Sequence, residues 1–143
     1  MTLQNLIDTI ARYGIQNKII NCSMAGSSIY DINGDTIDGY PLLFTSPTGT
    51  HEVGRDTSTY EITLYILDRL LQDRSNEMNI LSSSIEAMKN IIWGIATLDG
   101  VVDVSEVLNI RNVTETEAFN DAVAGCYCTI EVKTLNAYTC PIN

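Results

Sequence analysis

The one histidine, His51, sits between Thr50 and Glu52 with neither a nucleophile nor an orienting partner beside it. A general base needs a proton donor within hydrogen-bond reach and a group that holds its ring in place. No Gly-x-Ser-x-Gly elbow occurs, so no catalytic triad is expected and His51 reads as a surface side chain. Four cysteines, Cys22, Cys126, Cys128 and Cys140, raise the question of zinc. Structural zinc sites draw on cysteine pairs separated by about two to four residues, whose thiolates converge on the metal. Cys126 and Cys128 instead lie in an alternating run that sends both sulfurs to the apolar face of a strand, where free cysteine behaves as a small hydrophobe. Asp31, Asn33, Asp35 and Asp38 imitate the opening of a calcium loop. An EF-hand needs Gly at the sixth position and a bidentate Glu at the twelfth, and those positions hold Thr36 and Leu42. A tight turn at Asn33-Gly34 is the simpler reading. The glycines are dispersed, with no phosphate-binding loop or dinucleotide fingerprint. These residues lead to the expectation of no enzyme and no cofactor. The competing expectation is a small acidic metal-binding or enzyme domain built on loop 31–38.

Charge is the other source of specificity. Eighteen acidic side chains against eight basic ones leave a net charge of −10. The basic residues, Arg12, Lys18, Arg55, Arg69, Arg74, Lys89, Arg111 and Lys133, are scattered, which argues against a phosphate-neutralising groove and against docking on an anionic membrane. Asp68, Arg69, Asp73, Arg74 and Glu77 form a mixed-charge segment ahead of a long helical pattern. Such a segment suits a solvated loop whose acids favour a helix N-terminus. It equally suits an inter-subunit contact, because Arg–carboxylate pairs fix geometric register. Both readings stand on the residues alone.

These side chains need a frame. At 143 residues and 45% hydrophobic, the chain is long enough for one domain with a substantial core, 1–143, with 135–143 as a C-terminal tail. Met1 to Asn5 lack the basic start of a secretory leader, and no apolar run approaches a membrane span, so an intracellular setting is expected. Thr2 can cap a first helix whose Leu3, Leu6, Ile7 and Ile10 lie on one face, with Gly14 as its stop. Strands are expected at 19–22 and 42–45, the second introduced by Pro41, with a polar loop over 46–55. Tyr60, Ile62, Leu64 and Ile66 alternate with Thr59, Glu61, Thr63 and Tyr65, the clearest strand of the chain. Met78, Leu81, Ile85, Met88, Ile92 and Ile95 form the stripe of a long helix capped by Asp73 or Ser75 and ended by Asp99-Gly100. Val107, Leu108, Ile110 and Val113 mark another strand. Thr114 and Glu117 suggest a capping box and a short helical turn. Cys126, Cys128, Ile130 and Val132 alternate along the last strand. The order α-β-β-β-α-β-β predicts an α+β fold, a four- or five-stranded, mostly antiparallel sheet with two helices on one face.

Tyr60–Asp68 running into Asp73-Arg74-Ser75-Asn76-Glu77 and a long helix, then Phe119–Tyr127 followed by a strand and a tail through Tyr138-Thr139-Cys140-Pro141, resembles the tail terminator and tail-completion (neck) proteins of tailed bacteriophages, particularly those of gut Bacteroides (crAss-like) phages. The resemblance spans roughly residues 2–140, with Cys126 standing where an aromatic residue is expected. It implies a structural virion protein forming a homo-oligomeric ring of about six or twelve copies in the portal-to-tail neck. It implies neighbouring neck, portal or tail proteins as partners, DNA passing through the lumen without specific binding, no membrane and no cofactor. The contacts are then expected at Asp68, Arg69, Asp73, Arg74 and Glu77, at Arg55 in the loop 46–57, and at Tyr138 in the tail, since loops and tails adapt to partners while a sheet supplies the frame.

Overall fold

The computed structural model describes residues 1–16, 20–26, 39–71, 73–115 and 123–136. In chain order the elements are α1 (Leu3–Gln16), β1 (Cys22–Ala25), β2 (Leu42–Pro47), β3 (Glu52–Val53), β4 (Thr57–Arg69), α2 (Glu77–Ile95), β5 (Val101–Val104), β6 (Arg111–Glu115) and β7 (Val123–Leu135). The fold is α+β, with two helices and one mixed sheet of several strands.

The two alternating runs of the sequence become the centre of the sheet. β4 and β7 pair antiparallel along their full lengths, from Thr57 opposite Leu135 to Arg69 opposite Val123. On one face this register aligns Ile62 with Ile130, Leu64 with Cys128 and Ile66 with Cys126, all buried. β2 lies antiparallel along the other side of β4, and β1 joins β2 in parallel, the one departure from antiparallel pairing among the described strands. The two remaining strands extend columns already present. Pro47 faces Ile62 and Glu52 faces Thr59, so β3 continues the line of β2 after five residues have advanced against three. Val104 faces Val132 and Arg111 faces Tyr127, so β6 likewise continues β5 along the edge of β7, seven residues against five. Seven strands therefore fill five columns. The strand expected across 107–113 is split: Val107, Leu108 and Ile110 belong to the crossing segment, where Val107 is exposed while Leu108 and Ile110 pack on the core. Thr114 lies within β6 and starts no helix; Glu117 is outside the described residues.

Both helices cover the same face, α1 over β1 and β2, α2 over β4 and β7. The Thr2 hydroxyl accepts the Asn5 N–H at 3.1 Å, the expected N-cap. Leu6 and Ile10 are fully buried beneath α1, and each such side chain contributes about 1.5–3 kcal/mol of hydrophobic free energy. Gly14 does not stop this helix. It sits inside α1, buried against Leu43 and Ser23, where a side chain would strike the Leu43 methyl group. In α2 the buried residues are Ile80, Ser84, Ala87, Met88, Ile91, Ile92 and Ile95, so the core-facing stripe differs from the expected one in its first half. Met78 is 75% exposed, and Leu81 and Ile85 are only half-buried. The N-cap position is Asn76, with no side-chain cap bond, and the helix ends at Ile95, short of Asp99-Gly100.

The opposite face of the sheet is not uniformly polar. Leu42, Phe44, Leu67 and Val123 form a second buried cluster there with Cys22. Tyr65 meets Phe44 edge-on at 6.2 Å and stacks on Tyr127 at 5.4 Å. Further along this face the hydroxyls of Thr48, Thr63 and Thr129 form a chain with spacings of 2.9 and 2.8 Å. Glu61 and Glu131 then stand opposite each other.

Candidate functional site

The mixed-charge segment is a connected turn between β4 and α2. Asn76 ties it: its side-chain oxygen accepts the Leu71 N–H at 2.9 Å and its amide donates to the Arg69 carbonyl at 3.1 Å. That employment explains why Asn76 does not cap α2. Arg74 holds a φ of 59°, a left-handed conformation that a non-glycine residue adopts only at a cost, and its N–H donates to the Leu71 carbonyl at 2.8 Å. Asp73 caps this turn and not the helix, accepting the Ser75 N–H at 3.0 Å. The backbone N–H and hydroxyl of Ser75 hold the Asp73 carboxyl below its ordinary range.

The expected contact residues divide by location. Arg74 pairs with Glu77 of its own chain at 2.9 Å, and both remain partly exposed, so the pair stabilises by at most about 1 kcal/mol. Arg69 places its guanidinium 5.2 Å from the centre of the Tyr40 ring. Asp68, one residue earlier on β4, points to the helical face and accepts the Arg69 N–H at 2.8 Å through one oxygen. Arg55 lies far from these five. It is exposed in the short turn joining β3 to β4, its carbonyl accepting from the Asn136 amide at 3.4 Å. Since β4 rises by about 3.3 Å per residue, Arg55 and Asp68 are about 40 Å apart at opposite ends of the sheet. The loop 46–57 is partly strand, because Ser46 and Pro47 belong to β2 and Glu52 and Val53 to β3. Tyr138, Cys140 and loop 31–38 lie outside the described residues.

Around Asp68 the structure forms a cleft of about 210 Å³ that composition alone did not signal. Pro41, Ile66 and Ile80 supply an apolar side; Asn76, Asn79, Ser83 and Ser84 join Asp68 as polar lining. The clue available in the sequence was Ser84, which follows Ile80 by one helical turn and so shares its sheet-facing side. Large exposed apolar side chains flank both ends of the sheet. Leu71 (54%) and Met78 (75%) lie beside the cleft-bearing end, and Val53 (74%) and Leu135 (53%) at the Arg55 end.

The thiol expectation matches the geometry for two residues. Cys126 and Cys128 are fully buried and free. Burial first, then the neighbouring Cys128 charge, pushes the Cys126 thiol up to about 12, and burial also raises Cys128. Among the described residues no group of three His, Cys, Asp or Glu side chains could hold a metal ion. His51 accepts the Glu61 N–H at 3.4 Å and meets the Tyr60 ring edge-on, a structural placement. Among the described residues no helix is long and apolar enough to cross a membrane. Neither a protein-family model nor a curated protein matches the chain.

Proposed function

We propose that this protein is a structural, ring-forming component of a tailed-phage neck, a tail terminator or tail-completion protein, working by contact and not by catalysis. Its partners on this reading are copies of itself and the neck, portal or tail proteins above and below, with DNA passing through the lumen unbound. Its place is the virion. Two things support the reading: the resemblance of 60–68, 73–77 and 119–127 to that family, and the distribution of exposed side chains. The second carries it. Large apolar residues accompanied by charge sit at both ends of one rigid ladder, β4–β7, and such mixed patches are what protein interfaces use. Two different patches on one body make head-to-tail contacts, and these close into rings when the rotation permits.

Native mass spectrometry and negative-stain imaging of the purified protein test this. Closed rings of one copy number are the expected result. A monomer at every concentration that takes up calcium or zinc stoichiometrically would establish the competing metal-binding reading.

A further inference from the structure

We propose that the cleft beside Asp68 receives Arg55 of a second copy, so that subunits join end to end through one repeated contact; this rests on the ring reading above and specifies its interface. Asp68 is half-buried at the cleft and spends one oxygen on the Arg69 N–H. Its other oxygen has no partner among the described residues. Asn79 and Ser83 add hydrogen-bonding groups, and Pro41 and Ile80 add an apolar wall. A carboxylate with an apolar wall fits a guanidinium on an aliphatic stem, the stem lying on the wall and the fork meeting the oxygens.

The chain's own cations nearby are engaged elsewhere: Arg69 over Tyr40 on the opposite face, Arg74 on Glu77. Arg55 is different. It stands at a turn tip beside Gly54, exposed and without an ion pair among the described residues, a position from which a side chain can enter a concave site. Arg111 and Lys133 lie along strands and Arg12 along a helix, where they project sideways. Glu52 and Asp56 flank Arg55, so the two ends do not attract as whole charged surfaces, and recognition falls on the one guanidinium. The apolar residues fit the same docking. Val53 beside Arg55 meets Leu71 and Met78 beside the cleft, removing three exposed side chains from water together. With about 40 Å between Arg55 and Asp68, no chain satisfies itself; on the ring reading the contact repeats head to tail and is heterologous.

Two variants, Arg55→Glu and Asp68→Lys, test the pairing by sedimentation velocity, with circular dichroism to verify folding. Each alone is expected to weaken assembly at least tenfold. Mixed in equal amounts they are expected to reassemble, because the negative group now at position 55 of one faces the positive group now at position 68 of the other, and the wild-type pair forms at the next contact. Arg55→Ala and Asp68→Asn, gentler to the fold, are expected to weaken assembly alone and on mixing to give pairs without closed rings, because only every second contact regains its Arg–Asp pair. Wild-type rings that persist unchanged in either charge reversal would overturn this pairing and leave the ring reading standing. A wild-type protein that stays monomeric would overturn both.

Discussion

Gly125 is the position where one added carbon should do the most damage. It lies on β7 between Leu67 of β4 and Val113 of β6, two residues from the Val123 end of the ladder on which the whole sheet depends. A Cβ there would collide with the Ile66 carbonyl oxygen and stand 2.8 Å from the carbonyl carbon and 3.0 Å from the Leu67 Cα. Those atoms are backbone, so relief requires β4 and β7 to separate or twist. Overpacking that side chains can absorb costs about 1–3 kcal/mol, and here the cost should reach or exceed about 3 kcal/mol. For a chain of this size that is a fall in Tm of roughly 10 °C. Two other glycines calibrate the experiment. A Cβ on Gly94 would meet the end of the Tyr13 side chain, which can swing aside, while alanine favours the helix by about 1 kcal/mol. Among the described residues Gly39 has only Asn21 Cβ nearby, at 3.6 Å, and it has no positive φ. Gly94→Ala and Gly39→Ala should therefore stay within about 1 kcal/mol of the parent. Urea denaturation of all three, with equal slopes confirming two-state behaviour, gives the comparison. A Gly125→Ala loss under about 0.5 kcal/mol, or equal losses at Gly125 and Gly94, would refute the argument that backbone collision decides the cost.

On α2, Met88→Ala should cost about 2–5 kcal/mol through cavity formation, while half-buried Ile85→Ala should cost less than half as much by the same denaturation assay. Glu86→Ala or Lys89→Ala breaks only an exposed pair and should change stability by less than about 0.5 kcal/mol. Cys126 and Cys128 should resist a bulky thiol reagent in the native protein and react on denaturation, as followed by mass spectrometry. For Cys126 the folded thiol titrates near 12 against 9.0 when unfolded, so the stabilisation is complete below about pH 9 and lost as pH rises toward 12. Thermal melts between pH 8 and 11 should show that decline, and its loss in Cys126→Ala identifies the group.

Much of this architecture is written in residue periodicity, and the exceptions share a physical origin. β4, β7 and α1 were legible because apolar side chains recur along one buried side of each, although β4 is half-buried or buried on its other side as well. The first half of α2 was not. Apolar Met78, Leu81 and Ile85 mark one stripe, but Ser84 occupies a buried position among Ile80, Ala87 and Ile91, so polarity pointed to the wrong face. β3 is too short to show any alternation, and the β5–β6 column is interrupted, placing apolar Leu108 and Ile110 off the ladder but still on the core. The parallel pairing of β1 with β2 depends on the path of the intervening chain and has no local signature. At the candidate site, the sequence marked 68–77 as a charged connection, yet which charges meet within the chain depended on the turn at Arg74 and the Asn76 bonds. The Asp68 cleft joins residues from β4, α2 and the segment before β2, a convergence no spacing rule contains.

The long β4–β7 ladder also governs how this chain reaches its native state. Its nearest partners, Arg69 and Val123, are 54 residues apart and its farthest, Thr57 and Leu135, are 78. Loop-closure entropy must therefore be met before the central hydrogen bonds can form, and α2 has no complete surface to pack on until they do. β2 and β4, joined by a far shorter connection, can pair first and offer an edge to β7. Until β7 arrives, that edge exposes Ile62, Leu64 and Ile66 beside unpaired backbone, a template for the β7 of any neighbouring chain. At high protein concentration, folding of one chain would then compete with strand exchange between chains, and refolding yield should fall as protein concentration rises.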